Sequence, residues 1–246
     1  YFAGYSGGYK AIMPGVSTES AIQKNHGHMV KELDYTGNLK NNPVRDDMEE
    51  VSKFITIDFL LNVVLDEHKH VIGSFAGDPY EAHRKGCRLL DSMYKYPMER
   101  KAEVVIVSAG GYPKDINLYQ AQKALDNAKY AVADGGIIIL TAACSEGLGE
   151  STFEKWMLES RSAEEMVEEI QRNFVLGGHK AAAIGLVMQK AKVKLVSDME
   201  SDFVTQLFME PYAGLQEALD AALDEQGPNA IVHVMPAGGS TLPTIE

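Results

Sequence analysis

Val104-Val105-Ile106-Val107 and Ile137 to Leu140 are continuous apolar runs of strand length, Val193 to Val196 and Ile231 to Met235 are strand-length runs each broken by one polar residue, Lys194 or His233, and amphipathic stretches separate them. A strand without polar alternation is buried on both faces, and strands that alternate with helices pair in parallel. The chain is thereby constrained to an α/β fold, a mainly parallel sheet with helices on both faces. Residues 117–133 show the helical partner, with Leu118, Ala121, Leu125 and Ala128 on one face at three- and four-residue spacing. Gly135-Gly136 reads as its stop. Further helices are expected near 162–174, near 179–190 and around Leu215, Leu219 and Leu223. Asp78-Pro79 opens another, running to about Tyr94, with proline at the first helical position. Upstream, Ile55 to Leu65 and Val71 to Phe75 flank the polar turn 66–70 and read as an appended β-hairpin. Ser17 or Thr18 is placed to cap a helix through about Met29. Residues 34–50 are polar and turn-rich and read as a surface excursion.

Composition narrows the function classes. Hydrophobic residues make up 45% of the 246 and charged residues 24%, the balance of an ordinary folded domain. No apolar run approaches the ~20 residues of a membrane span. Thirty-five acids against 23 bases leave a net charge of −12, which argues against a nucleic-acid partner. Two cysteines, Cys87 and Cys144, suit a reducing cytoplasm. The opening Tyr1-Phe2-Ala3-Gly4 has no methionine and no signal-peptide pattern, and reads as a domain cut from a longer protein.

Ligands of parallel sheets lie beyond the carboxyl ends of the strands, here Ser108 to Gly111, Ala143 to Ser145, Ser197-Asp198 and Pro236 to Gly239. Three further segments carry chemistry. In Gly4-Tyr5-Ser6-Gly7-Gly8-Tyr9-Lys10, glycines can turn amides toward an anion and the lysine adds charge; a flexible connector ending in a surface lysine is the plain alternative. Asn25-His26-Gly27-His28 offers imidazoles that suit nickel, zinc or copper, although no cysteine or acidic cluster completes a cage. Gln120 and Lys123 project from one helical face near the helix start, where side chains, helix dipole and amides together would grip a small carboxylate; taken alone, the pair reads first as the solvated face of an ordinary amphipathic helix. His68, His70 and His233 read as turn or strand-surface residues, His83 as solvated, Cys87 and Trp156 as packing. Cys144 has no partnered base.

The string Tyr1-Phe2-Ala3-Gly4-Tyr5-Ser6-Gly7-Gly8-Tyr9-Lys10, Met13-Pro14-Gly15, Asn25-His26, Asn62 to Asp66, Gly73 to Asp78 and Gly110-Gly111-Tyr112-Pro113 leading to Tyr119-Gln120-Ala121-Gln122-Lys123 resembles the nickel-dependent lactate racemase family. The resemblance implies that residues 1–246 are its C-terminal domain, with the N-terminal domain of the same protein as partner. It implies a nickel pincer nucleotide tethered to Lys10, approached by Ser6, Gly7 and Gly8, with His26 as a nickel ligand beside three donors from the cofactor. Tyr119, Gln120 and Lys123 would hold a 2-hydroxy acid. A histidine would take the hydroxyl proton as the C2 hydride leaves, and hydride return to the other face would invert the centre. Both histidine bases would lie outside this chain, leaving it inactive alone. Where lactate-specific members have tryptophan, this chain has His179, which points to a larger or more polar 2-hydroxy acid. A non-catalytic nucleotide- or anion-binding module is the alternative.

Overall fold

The computed structural model describes residues 3–28, 37–66 and 68–245. Where the sequence reading has one domain over 1–246, the chain divides into two compact units, Tyr1–Lys95 and Tyr96–Glu246. In the first, the glycine-rich segment closes on a 3-10 turn, Gly8–Ala11. Helix α1 (Glu19–Gly27) follows, capped by the Thr18 hydroxyl, which accepts the Ala21 amide at 3.3 Å; the expected end at Met29 lies outside the described residues. The expected surface excursion is corrected over its second half. Asn42 caps helix α2 (Pro43–Glu50) by accepting the Arg45 amide at 3.0 Å, and Val44, Arg45 and Met48 are buried. Asn-Pro is a helix-start pattern, and Val44 and Met48 recur four residues apart.

The hairpin is present, its first strand shorter than expected and its second two residues longer. Strand β1 (Leu60–Leu65) pairs antiparallel with β2 (Val71–Gly77), and pairing stops at Leu60 opposite Gly77, so residues 55–59 have no ladder. Helix α3 (Pro79–Tyr94) starts as expected, because the Asp78 carboxylate accepts the Tyr80 and Glu81 amides at 3.0 and 2.9 Å.

In the second unit β3 (Lys95–Met98) leads to β4 (Ala102–Ser108), helix α4 (Leu118–Ala128) and β5 (Val132–Thr141). Helix α4 ends five residues before the expected 133, and the glycine pair proves to be part of a strand. Gly135 has φ +79° inside β5, within the register shift between Val132 opposite Ala102 and Ile137 opposite Val104; an irregular ladder admits the left-handed conformation that glycine adopts without strain. Helices α5 (Ser151–Glu159), α6 (Ala163–Arg172) and α7 (Gly178–Lys190) precede β6 (Lys192–Val196). Then come α8 (Ser201–Gln206), β7 (Glu210–Tyr212), α9 (Leu215–Gln226), β8 (Val232–Met235) and β9 (Leu242–Ile245). The central sheet has the order β7-β6-β5-β4-β8, parallel throughout, while β3 pairs with β9.

Strand period decides which helices cover which face. Val105, Val107, Ile138 and Leu140 share a core with Leu118 and Leu125 of α4 and Ile184 of α7. Their neighbours Val104, Ile106, Ile137 and Ile139 pack with Ala218 and Ala222 of α9. Each such fully buried aliphatic side chain contributes about 1.5–3 kcal/mol. Two-sided burial is the reason these runs carry no polar alternation.

Candidate functional site

In the first unit the glycine segment is held from three elements. The buried Arg45 guanidinium of α2 donates from Nε to the Ala3 carbonyl at 3.0 Å and from Nη2 to the Tyr5 carbonyl. His83 of α3 bonds through Nε2 to the Ser6 carbonyl at 2.9 Å, and Asn62 of β1 accepts the Gly8 amide at 3.0 Å. Glu49 binds Arg84 through both carboxylate oxygens at 2.9 and 3.0 Å, and Arg84 donates to His83 Nδ1 at 3.0 Å. The Ser6 carbonyl can only accept and the Arg84 guanidinium can only donate, so His83 is neutral with its proton on Nε2. Burial first, then Arg45, lowers its pKa to about 4. The reading of His83 as solvated is therefore corrected: it is only 4% exposed, because the glycine segment folds over it. A Cβ at Gly8, where φ is +62°, would stand 2.8 Å from the His83 ring.

This framework presents Lys10 in the 3-10 turn and His26 in the last turn of α1. Lys10 is half-buried; desolvation, and then the Arg45 charge, lowers its pKa. Burial also lowers that of His26, against a 2.9 Å bond from Nδ1 to the Ile22 carbonyl, and Lys10 adds to the lowering. Lys10 and His26 are thus within electrostatic reach of each other. The Ile22 bond places the proton on Nδ1, so the neutral ring carries its lone pair on Nε2, the form a metal ligand takes. Among the described residues no group of three or more His, Cys, Asp or Glu could hold a metal. A metal here would have to arrive with donors of its own. Ser6 is exposed beside Gly7 and the buried Gly8, and Arg45 Nη1 is buried with no hydrogen-bond partner among the described residues.

In the second unit Lys123 donates to Gln120 Oε1 at 2.9 Å across one turn of α4. The expected help from the helix amides is corrected. Leu118 and Tyr119 donate to the Gly147 and Leu148 carbonyls at 2.9 and 3.2 Å, and the Gln120 amide to the capping Asn117 side chain at 3.0 Å. Loop 145–149 folds back onto the helix start, so a carboxylate there would meet side chains. Tyr119 is half-buried and packs edge-on against Phe153.

His179, the second residue of α7, is 6% exposed. Its Nδ1 accepts the Gly177 amide at 3.1 Å and its ring stacks on Phe174. Sequence reasoning passed over its neighbour Lys180, whose Nζ donates to the Tyr119 carbonyl at 2.8 Å and lies 3.6 Å above the Tyr119 ring centre. Burial, followed by the Lys123 charge, lowers its pKa to about 8. A separate open pocket of about 310 Å³ lies at the ends of β4, β5 and β6, among Ser108, Asp115, Thr141, Ser197 and Asp198. Cys144 beside it is buried, and burial with the charges of Asp115 and Asp198 pushes its thiol to about 12, which suits packing and not nucleophilic chemistry. The loop after β8 is closed by packing, since a Cβ at Gly238 would meet Val107 at 2.2 Å.

The chain as a whole resembles known proteins. The model of the lactate racemase C-terminal domain matches residues 98–242, and that of the lactate racemase N-terminal domain matches residues 1–37. Lys10 and His26 thus fall within a stretch that matches an N-terminal domain. The chain is 34% identical to a lactate racemase of Thermoanaerobacterium thermosaccharolyticum over 98% of its own length, and 33% identical to one of Lactiplantibacillus plantarum over 97%. It spans 58% of the length of each of these relatives. The structure of the lactate racemase apoprotein from T. thermosaccharolyticum superposes with a TM-score of 0.93 at 33% identity, over 99% of this chain and 60% of that one. A Thermotoga maritima protein, 19% identical with a TM-score of 0.68 over 99% of this chain and 64% of its own, shares the fold. Among the described residues no helix is long and apolar enough to cross a membrane.

Proposed function

Because this chain belongs to the lactate racemase family, we propose that it is part of a racemase or epimerase of 2-hydroxy acids that works with a nickel pincer nucleotide. The observation that carries the reading is the donor set around Lys10 and His26. One imidazole with its proton held at Nδ1 by Ile22 stands within electrostatic reach of a half-buried amine, and among the described residues no protein chelate is at hand. A metal that arrives with most of its donors on an organic ligand would need only an imidazole from the protein, and a lysine could hold that ligand covalently. The residues fit the group: Lys10 would tether it, His26 would ligate nickel, and Ser6, Gly7 and Gly8 would receive the nucleotide. When bound, such a group supplies a reversible hydride acceptor.

The protein's own contribution is positioning. Gln120 and Lys123 bind the substrate carboxylate through amide and ammonium, with Tyr119 against its body, and hold C2 in one orientation. His179 sets a polar wall, which favours a substituent more polar than a methyl group. The two histidine bases that move the hydroxyl proton lie outside residues 1–246 on this reading, and the chain alone does not turn over. The protein works in the cytoplasm, where the rest of the lactate racemase N-terminal domain is its partner.

The test is a protein of the relatives' full length, made together with the cofactor-building enzymes. Intact mass should show an adduct on Lys10, metal analysis about one nickel per chain, and a 2-hydroxy acid should lose its optical activity. Neither adduct nor nickel in a protein that still binds nucleotide would favour a non-catalytic binding module.

A further inference from the structure

Lys180 is placed where its charge is disfavoured on several counts. It sits in the first turn of α7, at the positive end of the helix dipole. It is half-buried, and Lys123 lies within electrostatic reach. Two carboxylates lie near enough to favour the charge, Asp126 and Glu150, but both are engaged elsewhere. Asp126 pairs with Lys129 at 2.9 Å, and Glu150 caps α5 by accepting the Thr152 and Phe153 amides at 3.0 and 2.8 Å. Among the described residues the Lys180 ammonium donates to one acceptor, the Tyr119 carbonyl. An ammonium has three donors, so two remain for a ligand.

Tyr119 connects this amine to the proposed carboxylate site. Its ring lies under Lys180 Nζ, and the next residue in the helix, Gln120, accepts from Lys123. One ammonium therefore stands over the half-buried ring, and a second lies within electrostatic reach of it on the same helix as that ring. One of them is enough for a single carboxylate.

Resting on the proposed 2-hydroxy acid site, we infer that Lys180 is a substrate-contacting residue that determines specificity, and that the substrate it suits carries a second anionic group besides the carboxylate next to C2. Binding that group offsets both the Lys123 repulsion and the helix dipole, so a dianionic hydroxy acid gains where lactate does not. The titratable groups facing Lys180 are Tyr119, Lys123 and Asp126 from α4 and Glu150 from the start of α5, with His179 preceding it in the chain.

The test measures binding of malate and of lactate to a protein of the relatives' full length, made without the cofactor-building enzymes, by calorimetry from pH 7 to pH 9.5. Expected is tighter binding of malate than of lactate, with malate affinity falling as pH rises through about 8, where Lys180 loses its proton. Lys180→Met should weaken malate at pH 7 by about 10-fold, lactate by less than about 3-fold, and remove the alkaline fall; each 10-fold step is about 1.4 kcal/mol. Lys180→Arg, charged throughout, should restore malate binding and flatten the profile. Equal losses for both acids with an unchanged pH profile would reduce Lys180 to a structural role and overturn the inference, as would a Met variant that binds malate normally. Should Lys180→Met fail to fold, the pH profile of the natural chain and of the Arg variant decides alone. Failure of the natural chain to bind either acid would overturn the carboxylate site itself and this inference with it.

Discussion

His83 Nε2 donates to the Ser6 carbonyl at 2.9 Å, a bond across 77 residues that holds the glycine segment on α3. Nδ1 of the same ring accepts from Arg84, which requires a neutral ring, and burial together with Arg45 brings the pKa from 6.5 to about 4. A base whose folded pKa lies below its unfolded one contributes stability that is complete above the unfolded value and lost as pH falls through the folded one. Between 6.5 and about 4 that loss is about 3 kcal/mol. Urea unfolding from pH 7.5 to pH 4 should show it, and His83→Gln, which can still donate to Ser6, should remove most of the acid sensitivity. A stability profile flat to pH 4 in the natural chain would contradict the assignment.

Lys10 and His26 should separate two losses in the full-length protein. Lys10→Ala should leave no covalent adduct by intact mass and no racemisation. His26→Ala should keep the adduct and lose nickel, measured by metal analysis, while the melting temperature changes little, because a half-buried imidazole at a helix end adds little to the core.

His179 has a structural duty as well as a proposed part in specificity. His179→Phe keeps the stack on Phe174 but leaves the buried Gly177 amide unpaired, at a cost of about 1–3 kcal/mol in chemical denaturation. In the full-length enzyme, His179→Trp should raise kcat/KM for lactate relative to malate or sugar acids by about 5- to 150-fold. An unchanged ratio would take His179 out of the substrate site.

Lys194 of β6 is fully buried among Glu210, Glu225 at 2.6 Å and the Tyr212 hydroxyl at 3.2 Å. Burial works against its charge, but the bonds to the two carboxylates outweigh it and raise the pKa. Removing the partners should therefore cost more than removing the lysine. Glu210→Gln with Glu225→Gln strands a buried ammonium, at about 3–5 kcal/mol, whereas Lys194→Met, which leaves two part-exposed carboxylates, should cost less than half of that. Urea midpoints of the two variants give the comparison.

Cys87 and Cys144 are both free and buried, and burial raises the pKa of both thiols. A thiol-specific reagent at pH 8 should label neither in the folded chain and both in urea. Rapid labelling of Cys144 without denaturant would reopen its chemistry.

What the sequence determined by itself is whatever depends on neighbours along the chain. The unbroken runs at Val104 and Ile137 announce strands buried on both faces, and Asp78-Pro79 carries the cap and first position of α3. The motif string around Lys10, His26 and Gln120 carried the family resemblance. Local polarity also misled, since the charged stretch Arg45 to Glu50 is a helix, and its arginine is buried beneath the glycine segment. Tertiary structure decided which polar groups have partners. His83 is buried because Ser6 returns to it, the α4 amides are engaged because Gly147 and Leu148 fold back, and Lys180 stands over a tyrosine 61 residues away. Periodicity and capping act over a few residues. Desolvation and charge pairing depend on where distant elements meet, and no pattern along the chain encodes that locally.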